Sequence, residues 1–349
     1  MRTHFWLIGL SLSLACGGGE KDEKGGGGSD DTAGSGDSGN AGDSDADADG
    51  DADADADADA DSDADADTGP TLALKLTSGF DHSCTLTTSG QVMCWGENGE
   101  GQATPPSNNF LQVDAGALHT CGLEPTGAVS CWTNVPNGLA EPPAGIFKSI
   151  SSGRSHACAI DRDDALHCWG ADSMGQATVP EGRTYRSVAA GGLHTCAIET
   201  GGATSCWGQD IGDGRLSPPG VYFTQISSGM AHSCGLDSGG NIYCWGSNTY
   251  GESLPPSGSY TSISVGGSHS CALDATGYAI CWGRSDNLQT IVPSGRYTAI
   301  AAGRAHTCGI NLQQQVVCWG DNGAGQAVPP ATGTGVPVDT GLSDTGWGW

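Results

Sequence analysis

Tyr297-Thr-Ala-Ile-Ala-Ala-Gly-Arg-Ala-His306-Thr-Cys308 runs through Gly-Ile and a turn into Val316-Val-Cys318-Trp319-Gly320, then Gly325-Gln326 and Pro329-Pro330. This stretch decides the fold because it recurs. Its G-x-x-H-x-C element places cysteines at Cys84, Cys121, Cys158, Cys196, Cys234, Cys271 and Cys308, at intervals of 37 or 38 residues. Each is followed ten places later by the cysteine of a Cys-Trp pair, at Cys94, Cys131, Cys168, Cys206, Cys244, Cys281 and Cys318. Self-similarity at one fixed period is the signature of a repeat architecture.

Each copy opens with a short alternating run such as Phe147-Lys-Ser-Ile-Ser. A second extended run covers the His-x-Cys segment, a third ends at Cys-Trp-Gly, and a fourth short piece precedes the prolines. Four strands in about 37 residues make one blade of a β-propeller. The sequence therefore predicts an all-β fold, a seven-bladed β-propeller of four-stranded blades over residues 70–333. Trp95, Trp132, Trp169, Trp207, Trp245, Trp282 and Trp319 give each blade one large apolar side chain for packing between sheets. The glycines, 58 of 349 residues, suit many tight turns and argue against a helical bundle.

The paired cysteines read as disulfides. Ser89 is the midpoint between Cys84 and Cys94, and Ser89-Gly90 is a good turn. Folding about it sets the two cysteines opposite each other on adjacent antiparallel strands, at disulfide distance in a non-hydrogen-bonded pair. The same holds in every copy. Fourteen cysteines are paired within repeats, and the fifteenth, Cys16, is left over. So many cysteines point to an oxidising compartment.

The chain before the repeats has a different character. Arg2 precedes an apolar run from Phe5 to Leu14, too short to span a bilayer and right for a signal-peptide core. Leu12-Ser13-Leu14-Ala15-Cys16 resembles a lipobox, with Ser13 where leucine is usual. The resemblance implies cleavage after a signal peptide of residues 1–15 and acylation of Cys16, which gives the odd cysteine a role. From Gly17 to Gly69 apolar periodicity is absent. Asp-Ala repeats fill 45–67, and nineteen acidic residues stand against Lys21 and Lys24. Like charges without apolar surface predict a disordered, extended linker over 16–69. Weak calcium binding by this run lacks the glycine turns and fixed ligand spacing of a calcium loop, and a solvated spacer is the expected reading. A tail over 334–349, with Trp347 and Trp349, has no repeat pattern.

The G-x-x-H, Trp-Gly and Gly-Gln elements resemble the repeats of the regulator of chromosome condensation family, and the resemblance spans 70–333. It implies a seven-bladed propeller in which the histidine holds the blade turn through hydrogen bonds. Gly-Gln is kept at Gly101-Gln102, Gly175-Gln176 and Gly325-Gln326, and Thr133 replaces the glycine after tryptophan in the second copy. The paired cysteines depart from the family pattern.

Function is less legible. Metal binding by His82, His119, His156, His194, His232, His269 and His306 is disfavoured, since seven different blades cannot converge on one tetrahedral site. No Cys-x-x-Cys occurs, which removes the redox reading. Asp163-Asp164 reads as a solvated turn and His167 as a strand residue, so no catalytic set, cofactor or metal site is expected. The net charge of −27 argues against nucleic acid. What varies between copies is the pair of residues before each histidine. Phe80, Asp81, Leu118, Arg154, Leu193, Met230 and Arg304 should gather at one end of the propeller as a ring that binds a protein or glycan. The expected protein is a monomeric, extracytoplasmic lipoprotein, touching the outer membrane or cell surface through its lipid alone. The alternative is a secreted enzyme inhibitor, since the family's secreted relatives include a beta-lactamase inhibitor protein with a similar Gly-Gln and Val-Pro pattern (here Gly175-Gln176 and Val179-Pro180). Guanine-nucleotide exchange, also implied by the resemblance, conflicts with a leader that directs the chain out of the cytosol. A propeller-borne enzyme is not excluded by fold.

Overall fold

The computed structural model describes residues 73–136 and 138–330. Cys16, the leader, the Asp-Ala linker and the tail lie outside the described residues.

Each repeat forms one antiparallel sheet. In blade 1 the strands are Ala73–Ser78, His82–Thr87 and Val92–Gly96, hydrogen-bonded in that order. The same triplet recurs in blades that begin at Gln112, Phe147, Tyr185, Phe223, Tyr260 and Tyr297. The seven sheets are consecutive in sequence and contain no helix among the described residues. First strands of neighbouring blades touch all round, including blade 7 against blade 1, so the ring is closed.

Each sheet has three strands where four were expected. After the last strand the chain turns at once: Gly101 N–H donates to Asn98 O and Thr104 N–H to Gly101 O in blade 1, and Pro105-Pro106 follow. Proline has no N–H to give a ladder, so this outer run lies beside the sheet without joining it.

The period-2 pattern decides which side chain meets which neighbour. The first cysteine of a blade faces the next blade, and the tryptophan beside the second cysteine faces the blade before. Cys84 and Leu86 of blade 1 thus pack with Phe110, Val113 and Trp132 of blade 2. Trp95 packs back on Cys308, Ile310 and Val316 of blade 7. In blades 2 to 7 an aromatic at the start of the blade joins this layer, as with Tyr185 and Trp207 at 6.0 Å or Phe223 and Trp245 at 5.7 Å, whereas blade 1 starts with Ala73. The core is a ring of seven such layers.

The cysteine pairs sit directly opposite each other, Cys84 against Cys94 in blade 1, with Cα atoms 4.0 Å apart. All seven disulfides form within repeats as the hairpin geometry requires. The first cysteine of each pair is fully or almost fully buried, so the bond staples the hairpin and fills the layer between blades.

Candidate functional site

The site is built from the seven G-x-x-H segments, which join first and middle strands at one end of the ring. Their glycines are needed for close approach. A Cβ on Gly79 would stand 2.1 Å from Gly116 O, and one on Gly229 2.0 Å from Gly266 O. None of these seven glycines has positive φ, so contact with the next blade excludes a side chain, and handedness plays no part. Around this constriction the backbone bonds blade to blade: Phe80 N–H to Gly116 O, Arg154 N–H to Gly191 O, Gly192 N–H to Gly229 O, and across the closing seam Arg304 N–H to Gly79 O.

The histidines work one layer out. They are fully buried, and in every blade but the second the ring Nε2 bonds a hydroxyl of the next blade, while the ring edge lies against the glycine of its own turn in all but blade 5. His82 Nε2 is 2.8 Å from Thr120 Oγ1, His156 Nε2 2.8 Å from Thr195 Oγ1, and His306 Nε2 2.7 Å from Ser83 Oγ, which closes the ring. Thr120, Thr195 and Thr307 donate their own hydroxyl protons to Gln102, Gln176 and Gln289 carbonyls. In those seams the histidine must therefore be the donor, neutral and protonated on Nε2. Burial holds the ring pKa near 3 in His82, His119, His194 and His269 and near 4 in His156, His232 and His306. The same carbonyls accept the indole N–H of the tryptophans, as Trp132 to Gln102 O and Trp319 to Gln289 O.

Below the constriction runs a channel of about 370 Å³, walled by the first strands of all seven blades. One wall position lies opposite the first cysteine of each blade: Thr77, Asp114, Ser151, Ala189, Ser227, Ser264 and Ala301. Its oxygen accepts a backbone N–H of the next blade wherever there is one, as Ala115 N–H to Thr77 Oγ1 and Val265 N–H to Ser227 Oγ. Asp114 is the one carboxylate there. It accepts Thr77 Oγ1–H at 2.9 Å and Ser152 N–H at 2.8 Å, and burial raises its pKa to about 6 against the lowering effect of those bonds.

Four of the residues singled out from sequence meet at the channel mouth, namely Phe80, Arg154, Met230 and Arg304. Leu118 and Leu193 take the second place in their pairs and do not line it. Asp81 binds Arg304 across the closing seam, its Oδ1 accepting from Nε and Nη2 at 3.1 and 2.8 Å. Arg154 is exposed, and its guanidinium has no ion pair or hydrogen bond among the described residues. His167 pairs with Asp161 on the opposite face, and Asp164 with Lys148. Among the described residues no His, Cys, Asp or Glu cluster is placed to hold a metal ion.

Sequence reasoning missed Asp114, although aligning the copies seven places before each first cysteine isolates it. It also missed how regular the Gly-Gln position is. Leu139, Arg215, Glu252 and Gln289 occupy the place of Gln102, all buried, and each offers its carbonyl to the next tryptophan.

Fold and face define a disulfide-stapled, closed seven-bladed propeller with a narrow polar channel. More particularly, five of the seven repeats are of a known kind: residues 74–102, 147–176, 223–252, 260–289 and 297–326 match the regulator of chromosome condensation (RCC1) repeat. The ectodomain of the receptor kinase CR4 from Physcomitrella patens is similar at 25% identity and a TM-score of 0.62, over 72% of this chain and 74% of that one. The CRINKLY WD40 ectodomain of the Arabidopsis thaliana receptor kinase ACR4 gives 25% and 0.60, over 72% and 96%. Prp20p from Saccharomyces cerevisiae shares the fold at 16% and 0.58, over 66% and 80%. No curated protein matches the chain in sequence.

Proposed function

We propose that the chain is a cell-surface lipoprotein whose propeller binds a protein partner through the face around the channel mouth. One observation carries this reading. Every kept residue of the repeat has a structural duty: glycine for approach, histidine for the seam, cysteine and tryptophan for the layers. Phe80, Arg154 and Met230 have none of these duties and stand together at the mouth. An unpaired arginine beside apolar side chains is the composition of an interface hot spot. Likeness to two receptor-kinase ectodomains supports display outside the cell.

The test uses the full chain. A partner is recovered by cross-linking on intact cells, and its affinity is measured for the wild type and for a variant with Phe80→Ala, Arg154→Ala and Met230→Ala. Binding should weaken at least tenfold with near-ultraviolet circular dichroism unchanged. Equal affinity would reject the mouth. Anchoring is tested apart from binding. Cys16→Ala should release the propeller from the membrane fraction, and retention after a carbonate wash would reject the lipid.

A further inference from the structure

On the mouth face the outer loops follow one plan, and blade 6 departs from it. Just before the buried Gln position, six blades place a glycine with left-handed backbone: Gly101, Gly138, Gly175, Gly214, Gly251 and Gly325, at φ of 74–83°. Blade 6 places Leu288 there, at φ 63° and 51% exposed. A bulky side chain in this region is strained, and here it gains no burial in return. Asp164 and Gln314 share this backbone in hairpin turns, but strained bulky residues cluster at ligand clamps and binding loops.

Arg284 stands in the same loop, at a position that differs in every copy. Its guanidinium lies 5.1 Å over the Tyr250 ring, and its Nε donates to Asp286 Oδ2 at 2.6 Å. Stacking and ion pair together hold it in place. It borders a groove of about 280 Å³ lined also by Met230, Asn287, Arg304 and Asp321, with Leu288 between the lining residues Asn287 and Gln289. Met230 and Arg304 line the mouth as well, so groove and mouth are continuous. Asp81 engages Nε and Nη2 of Arg304, and Asp321 is tied back by Gln326 Nε2 at 3.0 Å. Neither Arg284 nor Arg304 has a partner for Nη1 among the described residues.

We propose that this groove receives an extended acidic segment of the protein partner. A carboxylate would sit between Arg284 and Arg304, and a neighbouring apolar side chain on Leu288 and Met230. The proposal rests on the mouth face being the binding face. Fixed guanidinium groups with open N–H donors match carboxylates in geometry as well as charge. The lining holds two arginines against one carboxylate, Asp321, while residues 73–330 carry ten Lys and Arg against nineteen Asp and Glu.

The probe is a fluorescein-labelled peptide with Glu and Leu in a Gly-Ser background, titrated with the full chain by fluorescence anisotropy. Its control has Gln for Glu. The acidic peptide should bind at least tenfold more tightly than the control. Arg284→Gln and Leu288→Gly should each weaken it at least fivefold, while Tyr222→Ala on the opposite face should not. Leu288→Gly restores the residue its six counterparts use, so folding is not at risk. Equal binding of the two peptides, or unchanged binding by Arg284→Gln, overturns the proposal. Binding that emerges only on deletion of 45–67 would assign the groove to the chain's own Asp-Ala segment and overturn it too. With the recovered partner, loss in the mouth variant alone removes the groove and leaves the mouth reading standing. Loss in neither removes both.

Discussion

Blade 7 meets blade 1 without a peptide link between them, whereas blades 2 and 3 are joined by the chain. The two seams start from one repeat and are held differently. At the closing seam His306 reaches Ser83, Trp95 donates to Gln326 O at 2.9 Å, and Arg304 pairs with Asp81. Its channel-wall position is Ala301, which offers no side-chain acceptor. At the seam of blades 2 and 3 the hydroxyl is gone: Ala157 stands where Ser83 stands, Leu139 replaces glutamine, and His119 has no hydrogen-bond partner among the described side chains. Polar contact there has moved to the channel wall. Asp114 accepts from Ser152, and the Gln112 amide exchanges bonds with the Ile150 backbone at 2.8 and 3.2 Å. A seam joined by a linker gains little entropy on opening, so it can lose its outer bond. A seam without a linker keeps the outer bonds.

The largest expected effect acts on both seams at once. The seven repeat histidines have folded pKa values of about 3 to 4, against 6.5 when exposed. Between these values the unfolded chain binds more protons, so stability falls as pH drops below about 6.5 and keeps falling toward 4. At pH 5 each histidine costs about 2 kcal/mol. Asp114 has the opposite sign: raised to about 6, it takes up a proton in the folded state first and offsets part of one histidine. The guanidinium unfolding midpoint, followed by near-ultraviolet circular dichroism, should therefore drop steeply between pH 7 and pH 5. A flat midpoint would mean that the rings titrate in the folded state.

How much of this was readable beforehand follows from what repetition records. Glycine, histidine, cysteine and tryptophan recur because each blade needs them, so blade number, disulfide pairing and the alternating layers were legible. The missing fourth strand was written in Pro105-Pro106 and its counterparts, where propensity for extended backbone was mistaken for ladder pairing. The purpose of Gly79 and its counterparts was not legible, since a turn and a close contact both ask for glycine. Polar contacts between blades escaped. That His306 meets Ser83, 223 residues away, depends on the ring closing. The groove was hidden because Arg284 stands at a position that differs in every copy, whereas aligned copies already set Leu288 apart, with glycine there in the other six blades.

An intermediate effect separates the seams. Ser83→Ala leaves His306 Nε2 buried without a partner where no linker restrains the opening, and Thr120→Ala does the same to His82 where one does. Each should cost about 1 to 3 kcal/mol, the usual penalty for a stranded buried donor. Ser83→Ala should show the larger fall in thermal midpoint. Equal losses would mean that the ring unfolds without first opening at the closing seam.

The smallest effect runs the other way and concerns the weaker seam. Ala157 is 1% exposed and lies at the place held by serine or threonine in all six other blades. Ala157→Ser adds one oxygen where the repeat geometry already accommodates it. His119 Nε2 would gain an acceptor, and the new hydroxyl could donate to Leu139 O, which now accepts the Trp169 indole at 3.2 Å. One added buried hydrogen bond contributes about 1 kcal/mol, and more if it relieves an unpaired ring nitrogen. The thermal midpoint should rise by a few degrees, roughly what that energy gives in a domain of this size. Exchange of the Gly153 and His156 amides should slow while that of blade 6 is unchanged. A fall in midpoint would show that Leu139 and Ala157 form a packed apolar joint that excludes the hydroxyl, and that the seam of blades 2 and 3 is held by design through Asp114 and Gln112 alone.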